Sequence, residues 1–481
     1  MLTYANQRGA ALSGSDLRAA AAERTAQASG RRKLIVLFVL LFALPVEPIV
    51  ADQMFSGPRL FVVMTIVPFL MMTVAGRAGR LTFTDAMMFA FSAWIVVSLF
   101  HQYGMARVPF AMITVIELLG GYLAGRMMVR SAEDYRWFFQ AYFVMLLILL
   151  PFAFFEMMTG RPLLSELFSM ITRVTPRTPE VRNSVFRAGV SYPHPIHWGL
   201  VASLMFAQAW LIWRDDTKAR NLRAGVAMAC TVTAMSSAPL LGLATQIGLI
   251  IWGRVTGNRW MLLVTMFATV FFALELLSNR GPVILFIETM TLDSETAWWR
   301  VYIWQYGSLS VMNHPVFGIG LEDWERPEWL AGTVDNFWLL TAMRYGLPAI
   351  IFLVLGLAWT VWKIARMRDL STADKKAREG YLIGFVALCF ALSTVHAWGA
   401  PSVLVTFYFG MGAFLFTGGA RAAQESDAKG PADPAGPRRH LPYSRFPRLD
   451  RPAAESKPLP SQGRAGKAGQ GFSRPQATRS R

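Results

Sequence analysis

Residues 137–157 read WFFQAYFVMLLILLPFAFFEM, and Glu156 is the single charged residue among them. A helix needs roughly 20 mostly apolar residues to cross the hydrocarbon core of a bilayer, where no water satisfies a bare backbone. The stretch therefore predicts a membrane-spanning helix. The whole chain suits that solvent, because 54% of its 481 residues are hydrophobic and only 16% are charged.

Comparable apolar segments recur from Leu34 to Phe416, so the sequence predicts an all-α, polytopic membrane protein with about 12 transmembrane helices. The predicted spans are residues 34–51, 60–76, 83–101, 108–125, 137–157, 195–213, 222–236, 238–253, 260–277, 336–362, 380–398 and 401–417. Residues 236–239, Ser-Ser-Ala-Pro, are interpreted as a tight turn between two spans. The alternative is a break within one longer element, which lowers the count by one.

The distribution of Lys and Arg predicts the orientation, because these residues stay cytoplasmic when they lie in short loops. Alternate loops are basic, including residues 31–33, 126–136 and 363–378. This pattern predicts that both termini lie on the cytoplasmic side of a bacterial inner membrane. Topology and anionic lipid thus explain the formal charge of +17, and nucleic-acid binding is disfavoured. Cys230 and Cys389 lie inside predicted spans and form no disulfide framework or metal-type spacing.

Composition divides the chain into three regions. Residues 1–33 are expected to form a cytoplasmic N-terminal segment, and residues 34–417 a transmembrane domain. Residues 418–481 are rich in Gly, Pro, Ser, Arg and Lys, a composition that cannot bury enough apolar surface to fold. They are predicted to be a disordered, basic cytoplasmic tail with membrane lipids as a contact.

Two long loops interrupt the spans, and the charge pattern places both on the periplasmic side. They comprise residues 158–195 and residues 278–335, the second with short helices. Long loops beside a tightly spanned membrane usually carry function. The first is rich in arginine, which suits an anionic lipid-linked ligand. The second interleaves carboxylates with tryptophans, a combination that suits sugar binding, although an interfacial aromatic belt is the alternative for any single tryptophan.

Five short motifs follow one another in this part of the chain. They are FRAGVSYPHP at 186–195, WRVYIW at 299–304, HPVFGIG at 314–320, DNFWL at 335–339 and YGLP at 345–348. In order and spacing they resemble the bacterial O-antigen ligase and polysaccharide polymerase (Wzy-like) superfamily. Ser236-Ser237 stands where that family often carries a serine-arginine pair, but the arginine is missing here. The resemblance covers residues 34–417 in topology and 186–350 in motifs.

The resemblance implies a transmembrane glycosyltransferase that uses undecaprenyl-diphosphate-linked sugars and needs no cofactor. In such a reaction negative charge grows on the departing diphosphate, and arginine suits its stabilisation because the planar guanidinium grips phosphate oxygens and stays charged. Arg187 and Arg300 match the family's functional arginines and are predicted to be catalytic. Arg280 is a third candidate, for substrate binding. The alternative for each is snorkelling or pairing with a nearby carboxylate.

A general base must reach the acceptor hydroxyl. Ligases of the family place a histidine immediately before the asparagine at this point, whereas here Asp335 precedes Asn336. Asp335 and His194 are the predicted candidates, and a helix N-cap is the alternative for Asp335. The residues predicted to bind substrate are Arg280, Gly318, Gly320, Asn336, Trp299 and Trp304.

These features predict a polymerase that joins lipid-linked repeat units into exopolysaccharide or O-antigen. A ligase that moves the finished glycan to another acceptor is the first alternative, and a flippase is the second, since twelve spans also suit a carrier. The expected partners are the lipid-linked donor and acceptor, with a chain-length regulator and other assembly proteins as candidates. Glu47 and Asp52 are a minor candidate for a metal site, and no metal is predicted.

Overall fold

A computed structural model describes residues 14–45, 49–50, 53–54, 56–172, 176–182, 184–279, 282–290 and 294–417. The described residues are mainly helical, as predicted. The α-helices are α1 Gly14–Ala43, α2 Gly57–Val74, α3 Phe83–Tyr103, α4 Val108–Met128, α5 Ala132–Thr159, α6 Leu163–Thr172, α7 Pro195–Ser203, α8 Met205–Ile212, α9 Thr217–Thr233, α10 Ser237–Thr256, α11 Trp260–Leu277, α12 Pro282–Met290, α13 Ser294–Asn313, α14 Phe337–Ala365, α15 Thr372–Ala391 and α16 Ala400–Met411.

Short elements complete the description. Two 3₁₀ helices span Gly104–Arg107 and Gly412–Leu415. Two antiparallel hairpins pair β1 Ile49–Val50 with β2 Gln53–Met54, and β3 Val181–Arg182 with β4 Val185–Phe186. The predicted tail, residues 418–481, and the first 13 residues of the predicted N-terminal segment lie outside the described residues.

Helix α5 shows how the sequence sets an element. The Ser131 hydroxyl caps its N-terminus by accepting from the Asp134 N–H at 3.1 Å. The apolar run 137–155 then fills its middle, and Gly160 ends it in the left-handed conformation with φ +71°. The helix that the opening stretch predicts is therefore present, and it starts five residues earlier.

Seven segments are long and apolar enough to cross a membrane. They are Gly57–Val74, Phe83–Met128, Ala132–Thr159, Pro195–Ile212, Ser237–Thr256, Trp260–Leu277 and Phe337–Ala365. Phe83–Met128 contains α3 and α4, separated by the first 3₁₀ helix. Helices α1, α9, α15 and α16 are too short or too charged to qualify, so the count of about twelve is not confirmed.

Helices α4 and α16 form the tightest contact in the core. A Cβ at Gly125 would lie 2.1 Å from the Phe407 carbonyl oxygen, and a Cβ at Gly410 would lie 2.0 Å from the Tyr122 carbonyl oxygen. Glycine at both positions lets the two backbones touch, as small residues do between membrane helices. This pair forms one wall of the pocket considered below.

The predicted turn after α9 is present. Helix α9 ends at Thr233, α10 begins at Ser237, and Met235 between them has φ +45°. The second long loop contains α12 and α13, and α13 packs with α14 around a hydrophobic cluster of its own. Helices were expected in this loop, but α13, at 20 residues, is longer than a short helix.

Candidate active site

A buried carboxylate folds the first long loop back onto the end of α5. Glu156 is 2% exposed, and its Oε2 accepts from the backbone N–H groups of Gly189 at 3.2 Å and Val190 at 2.9 Å. Its Oε1 pairs with the guanidinium of Arg177. A Cβ at Gly189 would lie 2.8 Å from Nε of Arg177, so a larger residue there would displace this guanidinium. The residues that follow β4 are therefore held firmly.

Arg187 follows β4 and has three partners. Its guanidinium donates to the Glu180 carboxylate at 2.5 Å, the Ser236 hydroxyl at 2.5 Å and the Ala234 carbonyl at 3.3 Å. The side chain is 11% exposed. Burial lowers the pKa of Arg187, and Glu180 works against that shift, but a guanidinium stays charged at any relevant pH. The expected alternative, pairing with a carboxylate, thus occurs here.

Three donors converge on Glu180. Its carboxylate lies 2.5 Å from Nη1 of Arg187, 3.9 Å from Nη1 of Arg177 and 3.7 Å from Nε2 of His194. The Glu180 side chain is 33% exposed, so this anionic position is open on one side. The arrangement marks a point at which a carboxylate or a phosphate is stabilised.

His194 caps α7, because its Nδ1 accepts from the Ile196 N–H at 3.1 Å. In the neutral ring the proton then lies on Nε2, the nitrogen that faces Glu180. Burial lowers the pKa of His194, while Glu180 and Asp335 act to raise it. In this arrangement His194 offers a donor, and its only acceptor nitrogen is already used.

Asn336, and not Asp335, is the N-cap of α14. Its side-chain oxygen accepts from the Leu339 N–H at 3.0 Å. The Asp335 carboxylate is exposed and does not cap the helix. It lies close enough to His194 and Arg300 to act on the pKa of both. Two residues predicted as candidates from separate motifs therefore meet at Asp335.

Arg300, on α13, adds a second cation to the site. Burial lowers the pKa of Arg300, Asp335 raises it, and the positive charge of Arg182 lowers it further. Arg182 has the same effect on the pKa of Arg187. Arg182 is thus within electrostatic reach of both predicted catalytic arginines.

Trp299 and Trp304 lie on α13 and are half-buried. Both pack against the hydrophobic cluster of the second loop, and the Trp299 ring centroid lies 5.9 Å from that of Trp329. Packing against this cluster accounts for their apolar surface. Their role in substrate binding stays a prediction.

Gly318 and Gly320 fix a tight turn to α14. Both have positive φ, +70° and +67°, and a Cβ at Gly318 would lie 2.4 Å from the Met343 carbonyl oxygen. The Gly320 N–H donates to the Arg344 carbonyl at 3.0 Å. These contacts give the two glycines a packing role. Their role in substrate binding stays a prediction.

Several predicted residues cannot be placed. Arg280, Glu47 and Asp52 lie outside the described residues. Within the described part of the chain, no group of three His, Cys, Asp or Glu side chains is arranged to hold a metal ion.

The structure adds four residues that sequence reasoning did not single out: Glu156, Arg177, Glu180 and Arg182. Glu156 carried a usable signal, because it is the only charge in the run 137–157 and a carboxylate at membrane depth is usually functional. For the other three, the only signal was the density of charge in the first loop.

Comparison with known proteins gives one family match. The family model described as O-antigen ligase matches residues 224–354, which run from α9 into α14 and include Ser236, Arg300 and Asp335. Among curated proteins, no sequence match was found. The match agrees with the motif resemblance in the same part of the chain, so this segment is similar to the O-antigen ligase family.

Proposed function

We propose that this protein is a polysaccharide polymerase that lengthens an undecaprenyl-diphosphate-linked glycan at the periplasmic face of the bacterial inner membrane. The observation that carries the proposal is the convergence of Arg187, Arg177 and His194 on Glu180, with Asp335 acting electrostatically on both His194 and Arg300. Cations that can hold a diphosphate thus lie next to groups that can handle a proton.

The proposed reaction is a displacement at the anomeric carbon of the donor sugar. A hydroxyl oxygen of the acceptor forms the new bond to that carbon, and the bond from the carbon to the diphosphate oxygen breaks. The hydroxyl proton moves to a base, and the electron pair leaves with the polyprenyl diphosphate. No oxidant or reductant is needed.

The arginines stabilise the leaving group. Charge-assisted hydrogen bonds from guanidinium groups strengthen as negative charge develops on the diphosphate, and each such donor contributes on the order of 3–4 kcal/mol in a water-poor site. Before substrate binds, Glu180 occupies the anionic position beside Arg187. Because Glu180 is partly exposed, an incoming phosphate can take its place without unfolding the loop.

Asp335 is the proposed base. It is exposed, and it is not used as a helix cap. It also lies near Arg300, so it would take the acceptor proton close to the departing diphosphate. His194 is proposed to position Glu180 and the start of α7, because its Nδ1 is already occupied by the Ile196 N–H.

A ligase is the second candidate, favoured by the description of the matched family model. The polymerase is preferred because Asp335 stands where ligases of the family carry a histidine. A flippase is the third possibility, and the same assay separates all three.

The test is incubation of the purified protein with a synthetic polyprenyl-diphosphate repeat unit. A ladder of products is expected for a polymerase. A single transfer to an added lipid acceptor would indicate a ligase, and the absence of any covalent product would indicate a flippase. Activity is expected to persist with a chelator.

Arg187→Ala and Arg300→Ala should each reduce the rate by roughly 10²–10³-fold. Arg161→Ala is the matched control, since Arg161 lies in the same loop, is 67% exposed and pairs with Glu166. Unchanged rates in the first two variants would overturn the assignment of the site.

A further inference from the structure

A second site lies beside the one described above. A pocket with a volume of about 390 Å³ is lined by the N-terminal parts of α2, α4, α14 and α16, by the loop that precedes α16 and by Pro193. Its volume is within the range of small-molecule sites. None of the reaction steps above uses its charged side chains.

One arginine gives the pocket its charge. Arg59 and Glu117 form an ion pair at 2.6 Å, with side chains 15% and 11% exposed, and their charges cancel. Arg344 also lines the pocket, and within the described residues it forms no ion pair with a carboxylate. His396 also lines the pocket, and its ring stacks on that of Phe337 with the centroids 6.3 Å apart. Arg344 therefore leaves the pocket with a net positive charge.

The rest of the lining is largely apolar. Phe110, Leu118, Phe337, Leu340 and Trp398 contribute carbon surface around Arg344. A cation held at membrane depth beside apolar walls is costly unless an anion neutralises it. A ligand with a phosphate next to a hydrocarbon chain satisfies both parts of this surface.

The pocket and the candidate active site share their boundary. Pro193, in the pocket wall, directly precedes His194, and Phe337 lies two residues after Asp335. The Phe337 N–H donates to the Leu392 carbonyl at 2.9 Å, which fixes this segment between the two sites. The proposed base thus belongs to a segment that adjoins the pocket wall.

We infer that this pocket binds the phosphate end of a second polyprenyl-diphosphate-linked substrate, the acceptor, while the arginine cluster holds the diphosphate of the donor. The inference rests on the proposed function, since polymerisation joins two molecules that both carry a lipid diphosphate. It assigns Arg344 to acceptor binding, with the aromatic and aliphatic walls receiving the first isoprene units.

The test is the stoichiometry with which labelled polyprenyl diphosphate binds the purified full-length protein. Two molecules per chain are expected for the unaltered protein, one for Arg344→Met and one for Arg187→Ala. Loss of a charge-assisted contact should weaken the affected site by roughly 10- to 100-fold. Arg366→Met is the matched control at the other end of α14, where Arg366 stacks 4.9 Å from the Trp362 ring, and it should still bind two.

Each alternative has its own result. Two bound molecules per chain in Arg344→Met would overturn the inference. The proposed function would still stand in that case if Arg187→Ala loses activity. Equal binding of unphosphorylated polyprenol would show that the pocket takes hydrocarbon without an anion, and equal affinity for inorganic pyrophosphate would show that the lipid is not recognised; either overturns the inference. Arg344→Lys should restore the second molecule, which separates lost charge from misfolding.

Discussion

Two buried arginines of this protein occupy opposite kinds of surroundings. Arg126, on α4, lies 3.0 Å from Asp85, and both side chains are 0% exposed. Asp85 also accepts from the Tyr122 hydroxyl at 2.7 Å, and Arg126 donates to the Arg80 carbonyl at 2.8 Å. Protein encloses this pair on every side.

Arg187 is largely buried, with its side chain 11% exposed, but its partner is more open. Glu180 is 33% exposed, and the pair opens toward the other groups of the candidate site. An enclosed ion pair is costly to break because the remaining charge has no water. A half-open pair can exchange one anion for another. The comparison teaches that the partner's exposure, more than the arginine's own burial, separates a structural arginine from one available to a ligand.

The largest effect is expected at the open site. Asp335→Asn should lower the polymerisation rate by roughly 10²–10⁴-fold, because the amide cannot accept the hydroxyl proton. Its thermal stability should stay unchanged, because Asp335 is exposed and Asn336 supplies the cap. Rates come from product ladders, with Asp323→Asn, an exposed residue of the same loop, as the control. A fully active Asp335→Asn would assign the base elsewhere.

The enclosed pair should respond in the other way. Arg126→Ala is expected to lower the free energy of unfolding by about 3–5 kcal/mol, because it leaves Asp85 buried without its partner. Chemical denaturation in detergent measures this loss. The double change Arg126→Met with Asp85→Asn should recover part of it, since no charge is then left behind and the amide oxygen can still accept from the Tyr122 hydroxyl. A stable Arg126→Ala protein would contradict the comparison.

Glu180→Gln sharpens the comparison by removing the internal anion. The variant should bind pyrophosphate roughly 3- to 10-fold more tightly, because the ligand no longer displaces a charged carboxylate from Arg187. Equilibrium competition with labelled pyrophosphate checks it, and Glu166→Gln, whose partner Arg161 is exposed, is the control. Weaker binding would mean that Glu180 helps to hold the ligand.

A smaller effect is expected at the cap beside the site. Asn336→Ala should lower the free energy of unfolding by about 1 kcal/mol, because the Leu339 N–H loses its acceptor. Asn336→Ser should keep most of the stability, since a hydroxyl also caps. Thermal unfolding of the two variants in the same detergent gives the comparison, and equal losses would argue against the cap.

The smallest effect concerns pH. Burial lowers the pKa of His194 below its usual 6.5, so the neutral ring that caps α7 persists as the pH falls through 6.5. The acid limb of the rate profile assigned to this group should therefore lie below pH 6.5. The rate of His194→Gln, measured across the same range, should lack that limb. A limb above pH 6.5 would contradict the burial of the ring.

Apolar stretches made much of the fold predictable. Helices α5, α10 and α11 contain their predicted spans or lie close to them, because length and hydropathy decide a helix that faces lipid. The same reasoning did not decide whether α9 and α15 span the membrane, because their first turns are charged. Their burial depends on neighbouring helices, and a single stretch of sequence does not contain that information.

The candidate site residues came from the motifs, and their catalytic roles stay predictions. The motifs pointed to Arg187, Arg300, Asp335 and His194, and the described structure brings these four within electrostatic reach of common neighbours. Contacts between α5 and the folded loop create the ion pair between Glu156 and Arg177 and set the position of Glu180. Such long-range contacts are not predictable from a local sequence pattern.

The glycine break in α14 has an evolutionary consequence. Gly346 has φ +80° and ψ 175°, and the next N–H, of Leu347, donates to the Pro315 carbonyl at 2.7 Å instead of continuing the helix. The piece that begins at Asn336 is therefore clamped by the glycine turn, while the piece after Gly346 follows its own axis. A change in the length of the second piece would therefore leave the orientation of Arg344 unchanged.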